Sequence, residues 1–172
     1  VDDQPRRGAD PRPARLMQLT IVAMGRLRSG PEKTLIDDYL DRAGKTGRAF
    51  GLGPARVIEV DDRKTPDKPS QAAALRRAVP EGAVLVAMDE RGKRLSSPDF
   101  ADRLAGWRDQ GRGSVACVIG GADGLDPALV AEADFTLSFG AMVWPHMLAR
   151  VMLAEQLYRA TAIVAGTPYH RV

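Results

Sequence analysis

The carboxy-terminal part of the chain combines an apolar helix pattern with side chains that perform acid–base and ionic chemistry. The segment 145–164 is apolar on nearly every face, and it carries His146, Arg150, Glu155 and Arg159. A helix that is apolar all round is normally buried in a core or an interface. The pattern therefore predicts that these polar groups are brought to a buried place.

The chain continues into an aromatic residue, an imidazole and a cation in succession, at Tyr169, His170 and Arg171. A tyrosine ring stacks on planar groups, an imidazole titrates near neutral pH and a guanidinium anchors anions. We therefore expect these residues to lie over an active site, where a partner subunit is also a candidate neighbour. An idle, frayed terminus is the alternative.

The elements that must position these groups alternate between apolar strands and amphipathic helices. Runs rich in Val, Ile and Leu, typical of strands covered on both faces, predict strands at 18–24, 56–60, 83–88, 114–119 and 134–138. Proline near a first turn predicts helices beginning at Gly30-Pro31, Ser97-Pro98 and Asp126-Pro127, and a further helix is expected over 70–78. The pattern predicts an α/β protein with a mostly parallel sheet and helices on both faces.

Ligands of an open parallel sheet bind beyond the carboxyl ends of its strands. One such end carries Gly120 and Gly121, which allow close approach to the backbone, although a tight turn into a helix needs the same residues. Another is the apolar segment 139–144, whose free backbone groups need partners such as an adenine edge; burial by packing or by a subunit contact is the alternative. Neither GxGxxG nor GxxxxGK[ST] occurs at 120–124, which disfavours the usual nucleotide sites.

Composition predicts one domain over 16–172 within the chain of 172 residues, preceded by a disordered, Pro- and Arg-rich extension at 1–15. Met17 is a candidate for the native start. The net charge of +3 permits an RNA partner without requiring one. Cys117 lies in an apolar run and is expected in the core. We expect a soluble, cytoplasmic protein with no membrane segment and no metal.

Five segments in this order resemble one known family. They are LTIVAMGRL at 19–27, VAMDERGKRLSS at 86–97, VIGGADGL at 118–125, LSFGAMVWPHMLARVMLAEQLYRA at 137–160 and PYHR at 168–171. Over 17–172 the chain resembles the bacterial 23S rRNA pseudouridine N3-methyltransferases of the SPOUT superfamily.

This resemblance implies a carboxy-terminal trefoil knot, a homodimer and S-adenosylmethionine held in bent form by the knot loops. General rules of chain connection argue against a knot, so only the resemblance predicts it. Met88 and Trp144 stand where other members have Leu or Phe, which are conservative changes. The cofactor-binding residues that the resemblance implies are Met88, Gly120, Gly121, Phe139, Gly140, Ala141, Met142, Val143 and Trp144.

Methylation at N3 of pseudouridine requires an imide nitrogen between two carbonyls to lose its proton while it is held about 3–3.5 Å from the methyl group. We expect Arg150, Tyr169 and His170 to be catalytic, with Arg150 stabilising the imide anion. A role for Arg150 in pairing with a carboxylate or in a dimer interface is the alternative. For His146 a packing or capping role is favoured over proton transfer. Glu155 and Arg159 are expected to form a structural ion pair.

Arg26, Arg28 and Arg171 are the expected RNA-binding residues. The nearby helix also carries cations, but Asp37, Asp38 and Asp41 interrupt them, so a solvated helix face is an equal alternative. So small a basic footprint favours recognition of the assembled ribosome over isolated RNA. The competing functions are a non-catalytic ribosome-binding factor and a SPOUT methyltransferase that acts on tRNA.

Overall fold

The computed structural model describes residues 15–171, and the expected disordered extension 1–15 lies outside them except for its last residue. Ten regular elements follow one another, together with a 3-10 turn at Arg48–Phe50. They are β1 (Met17–Met24), α1 (Pro31–Gly47), β2 (Leu52–Val60), α2 (Lys68–Ala78), β3 (Val84–Arg94), α3 (Ser97–Asp109), β4 (Ser114–Ile119), α4 (Pro127–Glu132), β5 (Phe135–Ser138) and α5 (His146–Ala165).

The strands form one sheet in the order β2-β1-β4-β3-β5. Every pair of neighbouring strands is parallel. The central position of β4 means that its six residues are all buried. The α/β class and the parallel sheet expected from the sequence are therefore confirmed.

Helices cover both faces of this sheet, as the sequence predicts. On one face, α1, α3 and α5 pack on the strands through residues such as Leu40, Leu104 and Leu157. On the other face, α2 and α4 do so through Leu75 and Leu129. Burial of apolar surface on both sides accounts for the near-continuous hydrophobicity of the strands.

Cys117 lies in the interior of β4, as expected of a small buried hydrophobe. Its side chain is 1% exposed. Burial raises the pKa of the Cys117 thiol to about 12, so the thiol stays protonated and unreactive at neutral pH.

Three elements extend beyond their predicted limits. β2 begins at Leu52, because the Gly53-Pro54 pair that breaks the apolar pattern is accommodated as an irregularity in its pairing with β1. α2 begins at Lys68, where the Asp67 carboxylate accepts a hydrogen bond from the Ser70 amide at 2.8 Å.

The third extension is the largest, because β3 continues to Arg94 instead of ending at 88. β3 pairs with β5 as far as Met88 and again from Lys93, and Leu137 of β5 is the pairing partner of both Met88 and Lys93. The four residues in between, at 89–92, form an excursion whose polar sequence gave no strand signal.

The crossing of α1 and α5 depends on a close approach at Gly47. A Cβ placed there would lie 2.7 Å from the Leu52 carbonyl oxygen and 3.0 Å from Cγ2 of Thr161 in α5. The first of these contacts is with backbone, which cannot rotate away. Absence of a side chain at Gly47 therefore lets the end of α1 pack against β2 and α5.

Gly47→Ala is expected to lower the free energy of unfolding by about 1–3 kcal/mol, because the added methyl overpacks the junction. Gly106→Ala is the matched control, since it is also a helix position but has no atom within 4 Å of the added Cβ. This control is expected to gain about 0.5–1 kcal/mol from helix propensity. Urea unfolding measures both changes, and equal effects at the two sites would contradict the packing role of Gly47.

Candidate active site at the carboxyl edge of the sheet

The carboxyl ends of three strands lie side by side at one edge of the sheet. Ala87 in β3 pairs with Val118 in β4 on one side and with Thr136 in β5 on the other. Because the strands are parallel, the residues that follow these three positions leave the sheet at the same edge. The structure thus brings together the three predicted segments, which begin at Met88, at Gly120 and at Phe139.

The turn after β4 is tight, and the backbone at Gly120 lies very close to the backbone at Gly124. A Cβ on Gly120 would lie 2.6 Å from the Gly124 carbonyl carbon. Gly121 is different, since a Cβ there would meet its nearest neighbour, Cγ of Met24, at an ordinary 3.6 Å. The fold therefore requires glycine at position 120, whereas packing within the fold does not explain the glycine at position 121.

A single hydroxyl holds the start of the segment after β5. Oγ of Ser138, which is 5% exposed, accepts a hydrogen bond from the Gly140 amide at 3.0 Å. The same oxygen lies 2.9 Å from the Glu90 carbonyl oxygen and 3.2 Å from that of Gly140. Ser138 thus ties the 139–144 segment to the excursion of β3.

Beyond Gly140 the segment projects its side chains into solvent. Met142 is 74% exposed and Val143 is 84% exposed, and Trp144 is also exposed. Such a run of large apolar side chains is unusual on the surface of a monomer. The expectation that this loop lies against something is not met within the described chain.

Two neighbouring cavities lie beside this loop and share Phe139 and Gln156 as lining residues. The first, of about 270 Å³, has hydroxyl groups at its wall from Ser97 and Ser138, and Oγ of Ser97 donates to Oε1 of Gln156 at 2.8 Å. The second, of about 250 Å³, is more apolar and includes Glu155.

Among the predicted cofactor-binding residues, Phe139 and Gly140 line the first cavity. Met88, Gly120, Gly121 and the rest of the 139–144 segment do not line it. Sequence reasoning did not assign Ser96, Ser97 or Gln156 to the site. It took Ser97 as a helix-cap candidate, but the cap of α3 is Ser96, whose Oγ accepts from the Asp99 amide at 3.2 Å. Gln156 sits on an apolar helix, and neither pattern signals a site.

Arg150 lies beneath this edge with its side chain 2% exposed. Its Nη1 donates to Oε2 of Glu59 at 3.0 Å, and Nη2 donates to the carbonyl oxygens of Met24 and Gly25, each at 3.2 Å. Oε2 of Glu59 also accepts the Leu27 amide at 2.6 Å. Arg150 therefore joins α5 to the ends of β1 and β2.

These contacts bear on the catalytic role expected for Arg150. Burial lowers the pKa of its guanidinium, and the Glu59 carboxylate opposes that change, so the group remains a cation. Among the described residues its Nε is buried without a partner. This arrangement matches the alternative role, in which Arg150 pairs with a carboxylate. Both terminal nitrogens of the guanidinium already donate hydrogen bonds within the protein.

The tail folds back onto α5. The Tyr169 hydroxyl donates to Oε1 of Glu155 at 2.9 Å, and its ring centroid lies 4.5 Å from that of Tyr158. Arg159 stacks on the Tyr169 ring at 4.7 Å and approaches Nδ1 of His170 at 3.2 Å. The predicted ion pair of Glu155 and Arg159 is confirmed, and it also holds the tail.

Burial and the hydrogen bond to Glu155 raise the pKa of Tyr169 above its ordinary value. The phenol is therefore protonated across the neutral range and acts as a donor. Because Glu155 also lines the second cavity, the tail reaches the wall of that cavity. A tail packed in this way is not the frayed terminus considered as the alternative.

The predicted RNA-binding arginines Arg26, Arg28 and Arg171 are all exposed. The first two follow β1, whereas Arg171 lies at the other end of the chain. The cations on α1 are paired along the helix, as Lys33 with Asp37, Arg42 with Asp38 and Lys45 with Asp41. α1 thus presents the solvated, charge-balanced face that the sequence left as an equal alternative.

Within residues 15–171, no group of three or more His, Cys, Asp or Glu side chains is arranged to hold a metal ion. No helix in that range is long and apolar enough to cross a membrane.

Ser138→Ala is expected to loosen the 139–144 segment, because the Gly140 amide loses its buried acceptor at a cost of about 1–3 kcal/mol. Binding of S-adenosylmethionine, measured by calorimetry, is expected to weaken by up to about tenfold. Thr34→Ala is the control, since it removes a hydroxyl that bonds a backbone carbonyl away from the site. Equal affinities in Ser138→Ala and the unchanged protein would contradict the role of this hydroxyl.

Comparison with known proteins gives a consistent result at the level of sequence and of fold. The chain is 70% identical to the ribosomal RNA large subunit methyltransferase H of Ruegeria pomeroyi, over 91% of this chain and 100% of that protein. It is 69% identical to the protein of the same name from Roseobacter denitrificans, over 90% and 99% of the two chains. A solved structure of a probable methylase family protein from Haemophilus influenzae has the same fold, with a TM-score of 0.51 and 14% identity over 91% of this chain and 71% of that one.

A family model described as "Predicted SPOUT methyltransferase" matches residues 17–170, which is nearly the whole described chain. The chain therefore belongs to the SPOUT methyltransferase family, and its α/β fold with a carboxy-terminal trefoil knot is the one that the resemblance implied.

Proposed function

We propose that this protein transfers a methyl group from S-adenosylmethionine to N3 of a pseudouridine in the 23S rRNA of the assembled ribosome. The observation that carries the proposal is the meeting of three strand ends at one edge of the sheet, beside a folded-back tail. The names of the relatives support rRNA of the large subunit as the substrate class.

S-adenosylmethionine would supply the activated methyl group. Two residues fit its binding: Gly121, where the fold does not itself require a glycine, and Ser138, which holds the first part of the loop after β5 in place. The hydroxyl-lined cavity beside Phe139 offers polar partners as well. The proposed cofactor-binding residues remain Met88, Gly120, Gly121, Phe139, Gly140, Ala141, Met142, Val143 and Trp144.

Tyr169 and His170 are the candidates for direct contact with the base. They are held against α5 by Glu155 and Arg159, next to the more apolar cavity. The contacts of Arg150 favour a positioning role over direct stabilisation of an anion, because Glu59 and two carbonyl oxygens occupy its terminal nitrogens.

A homodimer is part of the proposal. Six exposed apolar side chains lie on the 139–144 loop, the first turn of α5 and the helix α1 that packs against α5, namely Leu35, Met142, Val143, Trp144, Met147 and Leu148. An exposed apolar surface of this kind is suited to a protein partner. A second copy would cover it symmetrically.

For the RNA, Arg26, Arg28 and Arg171 are the proposed contacts. Because the proposed substrate is the ribosome, the cytoplasm is the proposed location of the protein. Two other functions compete with this one. A ribosome-binding factor would keep the fold without transferring a methyl group, and a tRNA methyltransferase would transfer it to another RNA.

The proposal predicts that the protein transfers labelled methyl groups from S-adenosylmethionine to ribosomes that lack the modification, and that mass mapping places the label on one pseudouridine of 23S rRNA. Deletion of 168–172 is expected to leave the affinity for S-adenosylmethionine unchanged and to lower turnover by at least about 100-fold, because the groups over the base are lost. A folded, donor-binding protein that transfers no label would favour the ribosome-binding factor. Label on tRNA would instead identify the protein as a tRNA methyltransferase. Full activity of the truncated protein would show that the tail is not part of the active site.

The dimer predicts a particle of about twice the 18.6 kDa chain mass in sedimentation equilibrium. Val143→Asp is expected to shift this equilibrium toward the single chain, because it buries an unpaired charge in the interface. Ala122→Asp, at another exposed turn position, is the control. A single-chain mass for the unchanged protein would refute the dimer.

A further inference from the structure

The contact between Arg159 and His170 determines which imidazole nitrogen carries a proton. Nη1 of Arg159 lies 3.2 Å from Nδ1 of His170. A guanidinium has five N–H donors and no acceptor, and it stays protonated at any pH where the protein is folded. Nδ1 must therefore act as the acceptor of this hydrogen bond, so it carries no proton.

A neutral imidazole has one N–H group. With Nδ1 used as an acceptor, that group is on Nε2, which is the nitrogen left to face other partners. Placing a second proton on the ring would turn Nδ1 into a donor directed at a cation. With Nδ1 accepting from Arg159, Nε2–H is the donor of the ring, and Nε2 can give a hydrogen bond to a further partner but cannot accept one.

Arg159 is itself held firmly in this orientation. Its Nε donates to Oε1 of Glu155 at 3.0 Å, Nη2 donates to the same oxygen at 2.5 Å, and its guanidinium stacks on the Tyr169 ring. Oε1 of Glu155 is therefore occupied by Arg159 and Tyr169, and its Oε2 accepts from Nε2 of Gln156 at 3.1 Å. The elements around His170 also carry other charged and titratable groups. They are Glu155, Tyr158 and Arg159 on α5, Tyr169 and Arg171 in the tail, and Tyr39 and Arg42 on α1.

We propose that His170 acts as a hydrogen-bond donor, through Nε2–H, to a carbonyl oxygen beside N3 of the pseudouridine, and not as the acceptor of the N3 proton. This inference rests on the proposed function and adds a chemical role to one residue of its site. The group of the substrate that His170 recognises is thus an imide carbonyl oxygen.

The role follows from where charge develops in the reaction. When the N3–H bond breaks, the proton passes to solvent water and the electron pair spreads over N3 and the two flanking carbonyl oxygens. The N3–methyl bond then forms, the methyl–sulfur bond breaks, and its electron pair remains on sulfur. A donor already oriented toward a carbonyl oxygen stabilises this anion, and loss of one such donor typically costs about 10²–10³ in rate.

Substitutions at His170 separate a donor from a base. His170→Gln keeps an N–H donor at the distance of Nε2 but cannot act as a base, whereas His170→Ala removes both capacities, and His170→Asn places its amide nearer the position of Nδ1. With ribosomes lacking the modification, we expect kcat of His170→Gln to exceed that of His170→Ala by at least about tenfold, with His170→Asn close to His170→Ala. The KM for S-adenosylmethionine is expected to change little in all three variants.

Two results would overturn the proposal. Equal and low kcat in His170→Gln and His170→Ala, together with a fall in wild-type kcat below the ordinary imidazole pKa of about 6.5, would make His170 the base. Equal and high kcat in both variants would show that His170 does not contact the substrate. Failure of the proposed function is distinct, because the wild-type protein would then transfer no methyl group to ribosomes.

Nitrogen NMR reads the protonation state directly and does not depend on turnover. The chain contains two histidines, so His146→Gln leaves His170 as the single imidazole signal. We expect a proton on Nε2 and none on Nδ1 near neutral pH, and a mixture of both neutral forms once Arg159→Met removes the donor. A proton on Nδ1 in the protein with Arg159 intact would contradict the inference.

Discussion

Lateral pairing of β3 with β4 on one side and with β5 on the other is the constraint on which the site depends. Ala87 of β3 pairs with a residue of β4 and with a residue of β5, so the hydrogen bonds of this one strand fix the register of β4 relative to β5. Three turns that are far apart in the chain consequently leave the sheet at one edge. A shift of either register by one residue would reverse the faces of its side chains and separate the turns.

The helix α5 extends this constraint to the tail. Its first turn follows the loop after β5, Arg150 joins it to the ends of β1 and β2, and Glu155 and Arg159 hold Tyr169 and His170. Polar groups on an otherwise apolar helix thus serve two different purposes. Arg150 connects the helix to the sheet beneath the site, whereas Glu155 and Arg159, one and two turns later, hold the tail against the helix.

Much of the fold could be predicted from the sequence, because strands buried on both faces carry a continuous apolar signal that does not depend on their partners. The end of β3 could not, since the 89–94 stretch is polar and its strand geometry comes from pairing with β5 across an excursion. The site was predicted in part by pattern and in part by resemblance. Spacing identified the glycine turn and the apolar loop, but the partner of Arg150 is Glu59, which lies far away in sequence and is brought close only by the sheet. Likewise, an i,i+4 pattern indicated the pairing of Glu155 with Arg159, and nothing local indicated that this pair also binds the tail.

We propose that the turns gathered at this edge enclose the methyl donor, and a crystal structure of the protein grown with S-adenosylmethionine would show whether they do. We expect the donor to contact backbone at Gly121 and within 139–144, beside Met88, with its methyl group directed toward His170. A donor bound at the opposite edge of the sheet, or away from all three turns, would contradict it.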